Sequence, residues 1–200
     1  MKNLYFITTL AVATLSLTPA LAEPVNIRPD VAAVTVQTED GPVEISRIQD
    51  TANELSGEWA RTSRPCPNFC IQPMQPAPGV TTVGELEMLE FLETGSATVV
   101  DSRVRPDFEG GAIPGAISMP YTEMADRLHE LGCEPDFEGF ECPADVKPVA
   151  LYCNGPWCGQ SPTAIRRIIE AGFPAERIYY YRGGMQVWRM LGLSVSDPKG

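Results

Sequence analysis

The sequence predicts an α/β protein: a parallel β-sheet flanked by helices on both faces, preceded by a small N-terminal β-hairpin and connector. Three observations carry this. From Val80 onward, short apolar runs alternate with segments whose apolar residues recur at helical spacing, and strands alternating with helices imply a parallel sheet covered on both faces. Residues 33–46 hold two alternating runs on either side of Asp40-Gly41, a strong hairpin signal. Residues 64–79 are crowded with proline and read as an extended connector. The chain then divides into 1–22, 23–78 and 79–195.

Residues 1–22 are expected to leave the mature protein. Lys2 supplies a positive charge, Leu4 to Leu17 an apolar run, and Ala20-Leu21-Ala22 the small residues of a signal-peptide cleavage site. Cleavage is expected after Ala22, with a periplasmic or secreted product. The run is too short for a membrane anchor, which needs ~20 apolar residues, and no other stretch could span a bilayer. The expected compartment is oxidising, where cysteines pair.

The elements follow in order. Ala33-Val34-Thr35-Val36 and Val43-Glu44-Ile45-Ser46 form the hairpin; residues 47–61 are at best weakly helical. Thr82 to Glu85 has the form of a capping box, with Thr82 as the cap. Leu86, Leu89 and Leu92 continue the helix and Gly95 ends it. Residues 97–101 form a buried strand; Met124, Leu128 and Leu131 mark a second amphipathic helix. A strand over 148–152 runs into Cys153. Ser161-Pro162 opens a helix with a favoured cap and a proline at its first position, and Gly172 takes its C′ position. Residues 178–181 form the last strand. Met185, Trp188 and Leu191 give the last helical face.

Composition excludes several functions. The 200 residues carry 15 Lys plus Arg against 26 Asp plus Glu, a net charge of −11. Such a chain lacks the footprint of a nucleic-acid binder and has no reason to bind anionic lipid. The single histidine, His129, rules out a His-rich metal site; it reads as a surface residue of its helix.

The informative constellation is a strand, then Cys153 with the loop Asn154, Gly155, Pro156, Trp157, Cys158, Gly159 and Gln160, then a helix at Ser161. In open α/β sheets, ligands bind beyond the carboxyl ends of the strands. A cysteine there faces turn amides and the positive end of a helix, which favour thiolate and make the sulfur nucleophilic. The same cradle suits a persulfide or another anion. Cys153 is therefore the candidate nucleophile, the loop through Ser161 the candidate substrate-binding segment, and Trp157 a candidate for its entrance. Cys153 is expected to have the lower pKa of the two loop cysteines. Cys158 reaches it only if the loop folds back.

Asp101-Ser102-Arg103 with residues 107–117 (DFEGGAIPGAI), the Cys153 loop, Ala171-Gly172-Phe173 and residues 182–188 (RGGMQVW) together resemble the signatures of rhodanese-like domains, in family order over 79–195. The resemblance implies a sulfurtransferase in which Cys153 carries a persulfide from a small sulfane-sulfur donor to a thiol or other thiophilic acceptor. It implies no cofactor. The sequence departs from the family's pattern in three ways: Ala112 replaces the usual His, the loop is enlarged, and the loop holds a second cysteine. The loop also has no Arg or Lys, which argues against a phosphatase, since that needs an Arg to hold a dianion bidentately.

Six cysteines allow fifteen pairings. Cys133 and Cys142 bracket an acidic stretch without apolar period, and a disulfide closing it is the favoured reading. Cys66 and Cys70 are the second candidate pair, as a staple of the connector or as a redox couple. No metal site is expected: the spacings do not match paired C-x-x-C ligands. Cys158 is a candidate resolving cysteine. Two rivals to sulfur transfer stay open: thiol–disulfide exchange through Cys153 and Cys158, and a non-catalytic binding module. A periplasmic redox or sulfur-carrier protein is the macromolecular partner these readings would use.

Overall fold

The computed structural model describes residues 23–137 and 139–196; the predicted leader and cleavage signal lie outside them. A five-stranded parallel sheet forms the centre. It comprises β3 (Thr81–Val83), β4 (Thr98–Asp101), β5 (Ile117–Ser118), β8 (Val149–Tyr152) and β9 (Ile178–Tyr181), ordered β3-β9-β8-β4-β5. Val100, Leu151 and Tyr180 lie side by side across the three central strands.

Successive residues of these strands point to opposite faces, and each face buries its own core. Val100, Leu151 and Tyr180 pack with Ile165 and Ile168 of α3 (Gln160–Glu170) and with Leu128. Val99, Ala150 and Tyr181 pack with Met88 and Leu92 of α1 (Glu85–Thr94) and Trp188 of α4 (Gly184–Met190). The N-terminal hairpin, β1 (Ala33–Thr38) and β2 (Gly41–Ser46), extends this second core with Val34, Val36 and Ile45. Arg47 secures it, donating from Nε to the Leu191 carbonyl at 2.6 Å.

Several expectations need correction. Thr82 does not cap α1, because it is drawn into β3 opposite Tyr180. Gly84 is the cap, its N–H bonded to the Glu87 carboxylate at 2.9 Å. Ser161 does not cap α3: the helix begins two residues earlier than expected, at Gln160, with Gly159 at the cap position. The segment Met124–Leu131 is a 3₁₀ helix kinked at Arg127 rather than an α-helix. Residues 47–61 contain only a 3₁₀ turn, Gly57–Ala60. The sequence reading missed α2 (Arg105–Glu109), β5, and the antiparallel pair β6 (Glu134–Asp136) and β7 (Gly139–Glu141). Gly172, at φ +107°, does end α3 as expected. Its N–H bonds to Ile169 O and that of Phe173 to Ile168 O, which satisfies the helix's last carbonyls. No described helix is long and apolar enough to cross a membrane.

Candidate active site

β8 ends at Tyr152, so Cys153 sits beyond the carboxyl edge of the sheet's central strand. Its carbonyl accepts from the Met185 N–H at 3.0 Å, and the Asn154 carbonyl accepts from Gln186 at 2.9 Å. The start of α4 thus holds the start of the loop. A turn closed by Cys158 N–H on Gly155 O at 2.9 Å then folds the chain back. The Cys153 Sγ donates to the Cys158 carbonyl at 3.3 Å and lies against the Cys158 sulfur. Both thiols are free and buried.

Their electrostatics reverse the expected order. Burial pushes the Cys153 thiol well up, and the adjoining Cys158 adds to this against the opposing pull of Ser161. Cys158 is drawn down to about 7: the Cys153 side chain hydrogen-bonds to it, and the Gln160 and Asn154 amides oppose the cost of burial. The turn donors that were expected to converge on Cys153 are thus shared with Cys158. Ser161 still faces Cys153 with its N–H and hydroxyl. That hydroxyl is fully buried and otherwise unpartnered. The Tyr180 hydroxyl, also buried and unpartnered, lies within electrostatic reach of both sulfurs. The Tyr180 ring packs in the core beneath them.

Asp101 and Arg103 are buried as a forked pair, Nε to Oδ1 at 2.9 Å and Nη2 to Oδ2 at 2.6 Å. Arg103 also donates to Gly111 O at 2.7 Å and reaches Asn154 Oδ1 at 3.5 Å. Its charge is committed to tying the segment around α2 to the sheet. Ala112 is buried where the C-terminal segment crosses it, exchanging two backbone bonds with Ser196 at 3.0 Å. Arg166 and Arg167 are exposed on α3.

A cleft of about 390 Å³ opens beside the loop. Asn154, Trp157, Cys158, Gly159 and Gln160 line it from the loop, Tyr121 and Thr163 from beside it, and Pro67, Asn68 and Phe69 from the connector. None of these side chains is charged. Cys66 and Cys70 are disulfide-bonded, as are Cys133 and Cys142. The first ring therefore encloses three residues of the cleft wall. Phe69 packs on Trp157 at 4.7 Å, and the Arg64 guanidinium lies over both rings. Gln72 N–H bonds to Pro156 O at 2.9 Å, and Arg182 donates to Gln72 O at 2.9 Å. Gln186 donates to Trp59 O at 2.7 Å. Trp59, Arg64, Phe69 and Gln72 were missed by the sequence reading; the one signal was an aromatic residue between two cysteines in a chain with another beside Cys158.

The Rhodanese-like domain family model matches residues 86–191. A curated relative, the HTH-type transcriptional regulator Rv0324 of Mycobacterium tuberculosis, is 36% identical over 111 residues, which is 56% of this chain and 42% of that protein. The chain thus spans less than half the length of that relative. Among solved structures, the BH2092 protein from Bacillus halodurans is 24% identical with a TM-score of 0.47, the match covering 58% of this chain and 76% of that one. The human single-domain sulfurtransferase TSTD1 is 20% identical with a TM-score of 0.39, over 55% and 95% of the two chains. With the family model matching more than half of its residues, and a parallel five-stranded sheet between two helical layers, this chain belongs to the rhodanese-like domain family.

Proposed function

We propose that this chain is an exported sulfurtransferase that moves sulfane sulfur through a persulfide on Cys153 to a thiol acceptor. The observation that carries the reading is the buried, otherwise unpartnered Ser161 hydroxyl that faces Cys153, with the buried Tyr180 hydroxyl within electrostatic reach of both sulfurs. A buried donor without an acceptor costs about 1–3 kcal/mol, and a persulfide anion on Cys153 would accept from Ser161. Two formed disulfides accord with an oxidising compartment. The acceptor is a small thiol or a periplasmic redox or sulfur-carrier protein. Intact mass after incubation with polysulfide tests the reading: one added sulfur atom is expected on the wild type and none on a Cys153→Ser/Cys158→Ser double variant. N-terminal sequencing of protein from the cell envelope is expected to begin at Glu23.

Thiol–disulfide exchange is the second reading, favoured by the folded-back loop that sets Cys158 against Cys153. It predicts disulfide reductase or oxidase activity that either single Ser variant abolishes. A wild type with neither activity leaves the domain as a binding module.

A further inference from the structure

The two loop cysteines are not equivalent toward the cleft. Cys158 lines it, between Trp157 and Gly159, whereas Cys153 is not part of its wall. Both are buried, at 2% and 4% exposure, but Cys153 directs its sulfur inward at the Cys158 carbonyl. A donor seated in the cleft therefore meets Cys158 first. We propose that Cys158 is the receiving nucleophile of a two-cysteine relay, taking the sulfane sulfur from the donor and passing it inward to Cys153. This rests on the sulfur-transfer reading and adds the order of events.

The steps balance without an outside oxidant. The Cys158 thiolate attacks the outer sulfur of a hydropersulfide, RS–SH; the S–S bond of the donor breaks, RS⁻ leaves, and Cys158–S–SH forms. RS⁻ takes a proton from water in the open cleft and departs as RSH. The Cys153 sulfur then attacks the outer sulfur of Cys158–S–SH, its thiol proton passing to the Cys158 sulfur it already hydrogen-bonds as the S–S bond breaks. Cys153–S–SH forms, and Cys158 returns as the thiol. The group lowered to about 7 is the one the first step needs ionised. The Cys153 persulfide then faces the Ser161 N–H and hydroxyl, which can donate to its anion. The inward step so runs from the open cleft to the water-excluded position.

The test is rapid-quench labelling of the mature protein with N-acetylcysteine methyl ester persulfide, whose body is uncharged like the cleft. The added sulfur is located by fragmentation of the peptide spanning both cysteines. In the wild type the sulfur is expected on Cys158 first and on Cys153 later. Cys153→Ser is expected to hold it on Cys158, and Cys158→Ser to load Cys153 at least tenfold more slowly. Direct appearance on Cys153, with Cys158→Ser loading at the wild-type rate, overturns the relay while leaving sulfur transfer standing. Prompt formation of a Cys153–Cys158 disulfide with release of HS⁻ also overturns it, in favour of redox exchange. A wild type that takes up no sulfur removes the sulfur-transfer reading itself. The wild-type time course decides the order even if a variant fails to fold.

Discussion

Phe69 packs on Trp157 with ring centroids 4.7 Å apart and planes tilted by 46°, and this contact joins the N-terminal connector to the cysteine loop. The two rings come from segments almost ninety positions apart, yet both face the same cleft. The Arg64 guanidinium lies over both, 4.7 Å from one centroid and 5.2 Å from the other. Arg64 also pairs with Glu58 at 3.5 Å, outside the cleft wall. The disulfide around Phe69 limits how far this part of the wall can move.

Phe69→Ala removes the ring and opens that wall. An aromatic pair is worth about 0.5–1.5 kcal/mol beyond its burial, so a loss of global stability of that order is expected in urea titration. The larger effect is expected on KM for a persulfide donor, raised about tenfold with kcat little changed. An unchanged KM would mean that the donor does not contact the connector.

The pH dependence of alkylation follows from the two cysteines' directions. Cys158, lowered to about 7, is the thiolate fraction that grows as pH rises from 6 to 8. Cys153, pushed up by burial, stays protonated through that range. Iodoacetamide is expected to modify Cys158 first, with a rate rising through a midpoint about pH 7, and Cys153 only later. Mass spectrometry of the peptide spanning both residues reads this, and early modification of Cys153 would contradict it.

The sheet and its two helical layers were legible because Val99-Val100, Ala150-Leu151 and Tyr180-Tyr181 are short apolar runs between helical periods. The errors have physical causes. Thr82 carries a cap's side chain, but pairing with Tyr180 uses its backbone as strand. Ser161 has a cap's chemistry too, yet its hydroxyl faces a sulfur instead of a helix N–H. Cys153, Cys158 and both disulfides could be singled out as residues. What the loop does with Cys158 could not, since the fold-back depends on the Gly155–Cys158 turn, and the cleft's outer wall depends on a connector without local period.

The Cys133–Cys142 disulfide encloses β6 and β7, a pair with few buried residues. Phe140 is its main anchor, donating its N–H to Ala171 O at 3.2 Å and packing on the core. Replacing both cysteines by Ser releases a loop of about ten residues, at a cost of about 2–3 kcal/mol. Denaturant titration is expected to show that loss, with sulfur loading unaffected because the ring lies outside the cleft. Free alkylation of Cys133 in the native protein would show the bond absent.

Arg103→Ala would leave the Asp101 carboxylate buried without its forked partner. Breaking such a pair costs about 3–5 kcal/mol. Arg103→Lys is expected to recover little, because an ammonium cannot reach both Asp101 oxygens and Gly111 O in one plane. Equal stability of the Lys variant and wild type in urea would refute the role given to the fork.

Gly184 gives the sharpest test of how the loop is held. It sits at φ +54°, and a Cβ there would lie 2.3 Å from the Cys153 carbonyl oxygen and 2.7 Å from the Gly155 nitrogen. These are backbone atoms, so the loop itself must move. That shift breaks the Met185 N–H bond to Cys153 O and displaces the start of the turn that folds Cys158 back. The left-handed backbone costs an alanine about 1–2 kcal/mol, and the lost bond roughly 0.5–1.5 kcal/mol more. Gly95→Ala separates the two effects. Gly95 also has positive φ, +66°, but nothing lies within 4 Å of an added Cβ. It is expected to lose stability by the backbone cost alone and to load sulfur at the wild-type rate. Gly184→Ala is expected to lose more stability and to slow sulfur loading at least tenfold, measured on protein confirmed folded by circular dichroism. Equal loading rates for the two variants would mean that the clamp of α4 on Cys153 does not position the reacting sulfurs.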